Sequence, residues 1–155
     1  MIEIKEKSQC CGCTACSSIC PKKAIMMKQD EEGFMYPIID KSKCVNCGLC
    51  DKVCPVKNAK ENGNSQHAYI FQNADDKIRR ESTSGGAFTA IAEYVIDNNG
   101  IVYGAVFDEK YKVIHKGIDN KEELYKFRNS KYVQSEMENC YSEIKEYLNK
   151  GKLVC

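Results

Sequence analysis

The sequence has little of what nucleic-acid-binding, membrane-spanning and many hydrolytic proteins require. Its 23 basic and 22 acidic residues give a formal net charge of +1, so there is no basic domain and we expect no nucleic-acid partner. No stretch approaches the roughly 20 apolar residues that span a bilayer, and residues 1–7 contain no apolar core of a signal peptide. There are only two histidines, and no Ser-His-Asp arrangement, carboxylate pair or P-loop is present. We therefore predict no membrane span and no catalytic residue.

Cysteine is the residue type that the chain has in excess, with 11 in 155 residues. Eight of them form two runs of the spacing C-x2-C-x2-C-x3-C, each followed by a proline. The runs are Cys10, Cys13, Cys16 and Cys20 before Pro21, and Cys44, Cys47, Cys50 and Cys54 before Pro55. This is the ligand spacing of a bacterial two-cluster ferredoxin, in which the fourth cysteine of each run binds the other cluster.

The spacing predicts two 4Fe–4S clusters, each held by three cysteines of one run and the last cysteine of the other. The two short gaps wrap three thiolates around one face of a cubane, while the longer gap and the proline direct the fourth sulfur to the partner cluster. The predicted ligands are Cys10, Cys13, Cys16 and Cys54 for one cluster, and Cys44, Cys47, Cys50 and Cys20 for the other. The chain is therefore expected to move single electrons.

Zinc and disulfide bonds are the alternative uses of these cysteines. Paired C-x2-C units also build zinc sites, but zinc gives no reason for the third cysteine or for the closing proline. Disulfides need an oxidising compartment, which nothing in the sequence indicates, so we expect a reduced, cytoplasmic protein of an anaerobic organism. Of the other thiols, we expect Cys11 to be an extra thiol beside a ligand, Cys140 to lie in a core and Cys155 to be exposed.

The predicted fold class is α+β, a ferredoxin-like two-cluster iron–sulfur domain followed by a partial α/β domain. Residues 1–57 are expected to form the iron–sulfur domain, residues 58–67 a polar linker, and residues 68–155 the α/β domain. The first domain is too short for a large apolar core, so the clusters are expected to take the place of one.

Local patterns predict the elements of both domains. In the first domain, they are an edge strand over 2–4, a helix over 22–26, and a hairpin of strands 26–29 and 34–38. In the second, they are strands over 68–72, 101–107, 111–115 and 152–155, a helix after the Ser/Gly turn at 82–86, a short helix after residue 119 or 120, and a helix over 135–149. The helix after 82–86 has its apolar face at Phe88, Ile91, Ala92 and Val95.

Three segments of the second domain resemble the beta subunit family of coenzyme F-420 hydrogenases and dehydrogenases. They are STSGGAFT at 82–89, VYGA at 102–105 and SKYVQS at 130–135. The resemblance implies an FAD-containing iron–sulfur oxidoreductase that passes electrons between clusters and a deazaflavin or related acceptor. Relatives continue beyond the strand at 152–155, so we expect a shortened chain that holds only the N-terminal part of the flavin domain. A natural edge strand is the alternative.

Candidate flavin contacts lie in two of these segments. They are Ser84, Gly85, Gly86, Lys131, Tyr132 and Gln134. The first three form a turn that opens a helix, where free N–H groups and the helix dipole favour a pyrophosphate. The alternative is a serine that only caps the helix, with glycines that relieve packing. Lys131, Tyr132 and Gln134 could contribute a cation, a stacking ring and an amide to flavin binding. The alternative is that these three residues form only a polar loop.

Two functions fit the sequence. The first is an electron-transfer component of a flavin-dependent oxidoreductase, which relays single electrons between two 4Fe–4S clusters and FAD or a redox partner protein. The second is a non-enzymatic, ferredoxin-type carrier or docking subunit without its own flavin. Stoichiometric FAD would distinguish the first from the second.

Overall fold

The computed structural model describes residues 1–59, 63, 65–137 and 139–155, and the chain divides into two compact units, Met1–Asn64 and Ser65–Cys155. Each unit contains short helices and one small antiparallel sheet, so the fold is mixed α+β as predicted. Part of the predicted linker, residues 60–62 and 64, lies outside the described residues. No helix in the described ranges is long and apolar enough to cross a membrane.

The first unit contains only short elements of regular structure. They are a 3₁₀ helix Lys7–Gln9, helices α1 Ala15–Ser18 and α2 Leu49–Val53, and strands β1 Ile25–Gln29 and β2 Met35–Ile39. The two strands form an antiparallel hairpin with Ile25 opposite Ile39, within one residue of the predicted ranges. The carboxylate of Asp30 closes the turn because it accepts hydrogen bonds from the N–H groups of Glu32 and Phe34. The predicted hairpin is confirmed.

Cysteines form half of the core of this unit. Ile2, Ile25 and Cys50 are buried together. The partly buried neighbours packed against them are Ile4, Cys16, Cys20, Ile39 and Cys54. A unit of this size has few other apolar side chains to bury, so its packing depends on what the sulfurs bind.

The predicted edge strand at 2–4 is wrong. Residues 2–4 have no regular secondary structure, although Ile2 is buried as a strand residue would be. The reason is that the backbone N–H of Ile2 donates to Cys50 Sγ at 3.2 Å. The sulfur takes the place of a neighbouring strand as hydrogen-bond partner.

The predicted helix at 22–26 is also wrong. Lys23 has a left-handed backbone with φ of 47°, which ends any right-handed helix. The N–H of Ala24 then donates to Cys20 Sγ at 3.3 Å, and β1 begins at the next residue. A turn therefore connects the first cysteine run to β1, and the hydrogen bond to Cys20 Sγ stabilises it.

The second unit has longer elements. They are helices α3 Asp76–Arg80, α4 Ala87–Asp97 and α5 Cys140–Asn149, a 3₁₀ helix Leu124–Phe127, and strands β3 Val102–Phe107 and β4 Val113–Ile118. The strands are antiparallel with Val102 opposite Ile118, and both lie within three residues of their predicted ranges. The short helix predicted after residue 119 or 120 is the 3₁₀ helix. The predicted last strand is present as a parallel bridge between Ile101 and Val154.

The core of this unit lies between α4 and the β3–β4 sheet. Ala92 and Val95 of α4 pack against Val102, Ile118 and Leu124, and all five are buried. Their i and i+3 spacing on α4 places both helix residues on the face toward the sheet. This packing fixes the position at which α4 begins.

The buried face of α4 is narrower than the sequence predicts. Ala92 and Val95 are buried as expected, but Phe88 and Ile91 are 38% and 56% exposed. A sheet of two strands covers only one side of a helix, so the flanking apolar residues stay partly open. Phe88 is thereby left available at the first turn of the helix.

The predicted strand at 68–72 is wrong. These residues have no regular secondary structure, among the described residues no strand pairs with them, and Ile70 is fully exposed. An apolar, β-prone composition does not form a strand without a partner that accepts its hydrogen bonds. Just after the segment, the N–H of Asn73 donates to the carbonyl oxygen of Gly85 at 2.7 Å.

The predicted helix at 135–149 begins later, at Cys140. The preceding chain pairs with β4 instead: Glu136 donates its N–H to Val113 and accepts from the N–H of His115, each at 2.9 Å. The free edge of β4 has backbone N–H and C=O groups that can pair with another segment. The local sequence pattern does not show which segment will pair with this edge. Residue 138 of the prediction lies outside the described residues.

Leu124→Ala should lower the free energy of unfolding by about 2–5 kcal/mol, because a fully buried leucine leaves a cavity when it is shortened. Leu148→Ala is the matched control, since Leu148 on α5 is 56% exposed and its loss should cost much less. Denaturant unfolding of the full chain, followed by circular dichroism, compares the two. Equal losses would contradict the buried position of Leu124.

Candidate metal centres and ligand cavity

Two cavities in the first unit are each lined by cysteines from both sequence runs. The Cys20 cavity is lined by Cys20 of the first run and by Cys44, Cys47 and Cys50 of the second. The Cys54 cavity is lined by Cys54 of the second run and by Cys10, Cys13 and Cys16 of the first, with Cys11 beside them. The structure thus brings together the four members of each predicted ligand set.

The two runs reach these cavities through the same backbone turns. In the first run, Gly12 and Thr14 have φ of 63° and 60°, and at the matching positions of the second run Asn46 and Gly48 have φ of 52° and 74°. Left-handed residues turn the chain sharply between successive cysteines, so the sulfurs of one run converge. Thr14 adopts this conformation at a cost of about 1 kcal/mol, which the surrounding structure has to offset.

Backbone N–H groups donate to sulfurs of both groups. Ile2 donates to Cys50 and Ala24 donates to Cys20, at 3.2 and 3.3 Å. A backbone hydrogen bond also favours the thiolate of Cys16 in the Cys54 cavity. Such bonds stabilise iron-bound thiolates and are one of the factors that set cluster potentials. The donor chemistry of both cavities therefore fits 4Fe–4S clusters.

Burial controls the protonation of thiols in the Cys54 cavity. It raises the pKa of the Cys16 thiol to about 11, and it also raises the pKa of Cys13. Both thiols are protonated at neutral pH, so these protons have to be released when the metal binds. Assembly of the site is therefore coupled to proton release.

A site for a single metal ion is a different arrangement from a cluster site. Within the described part of the chain, no three or more His, Cys, Asp or Glu side chains are placed to hold a single metal ion. In a cubane, each of the four cysteines binds a different iron, so the four ligands do not have to meet at one ion.

A third cavity, of about 390 Å³, lies in the second unit at the start of α4. Its walls combine aromatic rings with the small residues of the predicted phosphate turn. The residues that line it are Tyr69, Phe71, Ser82, Thr83, Ser84, Gly85, Gly86, Ala87, Phe88, Phe127, Arg128 and Asn129. We call it the α4 cavity. Ser84, Gly85 and Gly86 are therefore in its wall, as candidate flavin contacts would be.

The N-terminus of α4 begins at a glycine. The N-cap residue is Gly86, with φ of 77°, and in the described structure there is no side-chain cap hydrogen bond at this end of the helix. Ser82 donates its hydroxyl to the carbonyl oxygen of Ile78 in α3 at 2.7 Å, so this serine is not the cap of α4. The first N–H groups of α4 are thus available to an anion, which the helix dipole also favours.

Gly85 makes the closest backbone contact in the cavity wall. A Cβ atom at this position would lie 2.0 Å from the carbonyl oxygen of Phe71. The same stretch is held by the hydrogen bond from Asn73 N–H to the Gly85 carbonyl at 2.7 Å. No side chain fits at Gly85 unless residues 71–73 move away from the turn.

Arg128 is the cavity residue that the sequence prediction missed. Its side chain is 14% exposed, and one of its terminal nitrogens pairs with the carboxylate of Glu81. Its Nε is buried and has no hydrogen-bond partner in the described structure. The chain has 20 lysines but only three arginines, and this scarcity is the one signal that could have drawn attention to Arg128.

Lys131 is hydrogen-bonded to the backbone of its own loop. Its ammonium donates to the carbonyl oxygens of Lys126, Arg128 and Asn129 at 3.0, 2.9 and 3.2 Å, and so it holds the loop that carries Arg128. Burial lowers the pKa of Lys131.

The second group of candidate flavin contacts does not line the α4 cavity as the structure describes it. None of Lys131, Tyr132 and Gln134 is among the described residues that line the α4 cavity, and Tyr132 is 94% exposed. A flavin contact through any of these three residues stays a prediction.

Family models match both the cysteine runs and the second unit. Residues 9–58 match a 4Fe-4S dicluster domain, and another model of a 4Fe-4S dicluster domain matches residues 36–88. Residues 68–141 match the N-terminal part of the coenzyme F420 hydrogenase/dehydrogenase beta subunit. The second unit of the chain therefore matches the N-terminal domain of this beta-subunit family. The resemblance seen in the sequence is therefore confirmed. No curated protein matches the chain.

The family matches indicate which kind of metal centre the cysteines of the two cavities bind. A beta-subunit-type chain with a 4Fe-4S dicluster domain is an iron–sulfur electron-transfer protein. The prediction of iron–sulfur clusters is thus confirmed, while the assignment of each cysteine to one cluster stays a prediction.

Gly85→Ala should separate residues 71–73 from the turn before α4, because the new methyl group would overlap the Phe71 carbonyl. We expect a loss of about 1–3 kcal/mol of stability and faster chymotryptic cleavage after Phe71. Gly63→Ala is the control, since no atom lies within 4 Å of a Cβ at that position. Cleavage at the same rate in both variants would contradict the tight contact.

Double replacements test which cysteines share a cluster. If the sets are those that line the two cavities, C10S/C54S damages one cluster and should leave about four iron atoms per chain. C10S/C20S removes one ligand from each set and should leave close to none. Iron and acid-labile sulfide, measured after anaerobic reconstitution, give the result.

The reverse outcome would mean that each run binds its own cluster. In that case C10S/C20S would keep about four irons and C10S/C54S would lose nearly all of them. Cys140→Ser is the control for loss of a buried thiol, because Cys140 lies in the second unit and should not affect the iron content.

Proposed function

We propose that the chain is the iron–sulfur component of a flavin-dependent oxidoreductase, with FAD bound in the α4 cavity. The first unit relays single electrons, and the second unit binds the flavin that exchanges them with a substrate or a partner redox protein. The iron–sulfur part of this function rests on the dicluster match. The flavin part rests on the α4 cavity.

The composition of the α4 cavity is the observation that supports a flavin. Its volume of about 390 Å³ is within the range of small-molecule sites. One wall offers the uncapped N-terminus of α4 and a guanidinium, which suit a pyrophosphate. The other offers Phe88 and Phe127, whose rings contact edge to face with centroids 6.0 Å apart. An anion site beside aromatic rings suits a ligand that combines phosphates with flat rings.

The role of the first unit follows from its sulfurs and their surroundings. Bound 4Fe–4S clusters exchange single electrons, whereas a flavin exchanges one or two. The protein supplies thiolate ligands, backbone donors such as the N–H groups of Ile2 and Ala24, and buried apolar neighbours such as Ile25. Exclusion of water and hydrogen bonds to sulfur are the means by which this chain sets the potentials.

FAD content tests the proposal directly. The full chain, purified anaerobically with its clusters, is incubated with excess FAD, desalted and denatured, and the released flavin is measured. We expect about one FAD per chain, as one α4 cavity predicts. Iron-loaded protein without flavin would support a carrier or docking subunit instead.

Phe88→Ala should weaken FAD binding by about tenfold, because the ring lines the cavity and is partly exposed to a ligand. Ile91→Ala is the matched control, since Ile91 lies on the same helix, is 56% exposed and does not line the cavity. Flavin fluorescence titrations of the two variants give the affinities. A loss of the same size in both variants would place the flavin elsewhere.

A further inference from the structure

We propose that Arg128 and Glu81 form a displaceable ion pair at the α4 cavity, in which an incoming phosphate group replaces Glu81 as the partner of the guanidinium. This inference rests on the proposed nucleotide ligand of that cavity. It makes Arg128 the residue that recognises phosphate and Glu81 an internal competitor that weakens ligand binding.

The guanidinium of Arg128 is only partly satisfied. It carries five N–H donors, and the pairing with Glu81 involves one terminal nitrogen. The Nε is buried and has no hydrogen-bond partner in the described structure. A buried donor without a partner is unfavourable, so the side chain gains from any anion that bonds a second nitrogen. Phosphate does this well, because two of its oxygens match the guanidinium fork.

The two partners of the ion pair differ in exposure. The Arg128 side chain is 14% exposed and lines the cavity, whereas the Glu81 side chain is 48% exposed. A half-exposed carboxylate is readily hydrated when it is released, and exposed ion pairs contribute little stability. Glu81 can therefore leave at low cost, while Arg128 stays at the cavity wall.

The loop holds the backbone of Arg128 in place while its side chain changes partner. The Lys131 ammonium bonds to the carbonyl oxygens on this loop, including that of Arg128 at 2.9 Å. Thr83 donates its hydroxyl to the Asn129 side chain at 2.9 Å, which connects the loop to the turn before α4. The proposed exchange of Glu81 for a ligand therefore takes place by rotation of the guanidinium, with the loop backbone kept in place.

Substitution of the two partners should have opposite effects. Arg128→Gln should weaken binding of FAD and of ADP by about ten- to hundredfold, the range for a lost charge-assisted hydrogen bond. Glu81→Gln should strengthen binding of both by several-fold, because the competing carboxylate is gone. Riboflavin has no phosphate, so its affinity should not change. Arg128→Lys should recover only part of the affinity, since lysine keeps the charge but not the fork.

Matched controls come from α3. Arg80→Gln makes the same charge change at an exposed arginine away from the cavity lining. Asp76→Asn removes the carboxylate of a different surface ion pair, with Arg79. Neither should alter the affinity for FAD or ADP. Fluorescence and calorimetric titrations use the full chain with its clusters, and thermal unfolding verifies that each variant is folded.

The outcomes separate this inference from the proposed function. If the native chain binds ADP but not FAD, and the opposite effects appear, the ion pair is supported and the flavin function is rejected. If FAD binds equally to the native chain, to R128Q and to E81Q, the flavin function stands and the ion-pair inference is overturned. An affinity that falls in both variants also overturns it, because that indicates a structural role. Failure of the native chain to bind either nucleotide overturns both.

Discussion

The packing of the first unit depends on cysteine sulfurs that converge from two distant runs. They make up half of its core, and they accept backbone hydrogen bonds that strands or helices would otherwise use. This is why Ile2 is buried without lying in a strand and why the chain at Ala24 turns instead of forming a helix. Among the described residues of this unit, the regular sheet is the β1–β2 hairpin, which is stabilised by its own turn. Metal chemistry and folding are therefore closely linked in this unit.

The second unit is organised by the packing of α4 on a sheet of only two strands. Burial of Ala92 and Val95 fixes the helix, while its N-terminal turn stays open and borders a cavity. The turn is in contact with residues 71–73 because Gly85 has no side chain. Helix dipole, aromatic rings and Arg128 then face one volume. A cavity that combines a helix N-terminus, aromatic rings and a guanidinium follows from the way in which one helix is packed.

Prediction from the sequence succeeded where the pattern is local. The hairpin, α4 and β3 are each marked in the sequence by regularly spaced apolar residues or by turn residues. Each lies close to its predicted range. The cysteine spacing led to the same two groups that line the cavities. Prediction failed where a distant partner decides the outcome, as in the unpaired segment at 68–72 and at Glu136, which pairs with β4. Arg128 was missed for the same reason, because Glu81 and the cavity are remote in sequence.

The sequence alone determined the chemistry of this protein: the number and spacing of cysteines, the turn residues between them, and the Ser/Gly turn before a helix. These are set by covalent order and short-range backbone geometry. Only the tertiary structure decided which side chains share a cavity with that turn. It placed Arg128 there and gave Lys131 a supporting position in the loop. The physical reason is that burial and hydrogen-bond satisfaction depend on neighbours that the folded chain brings together.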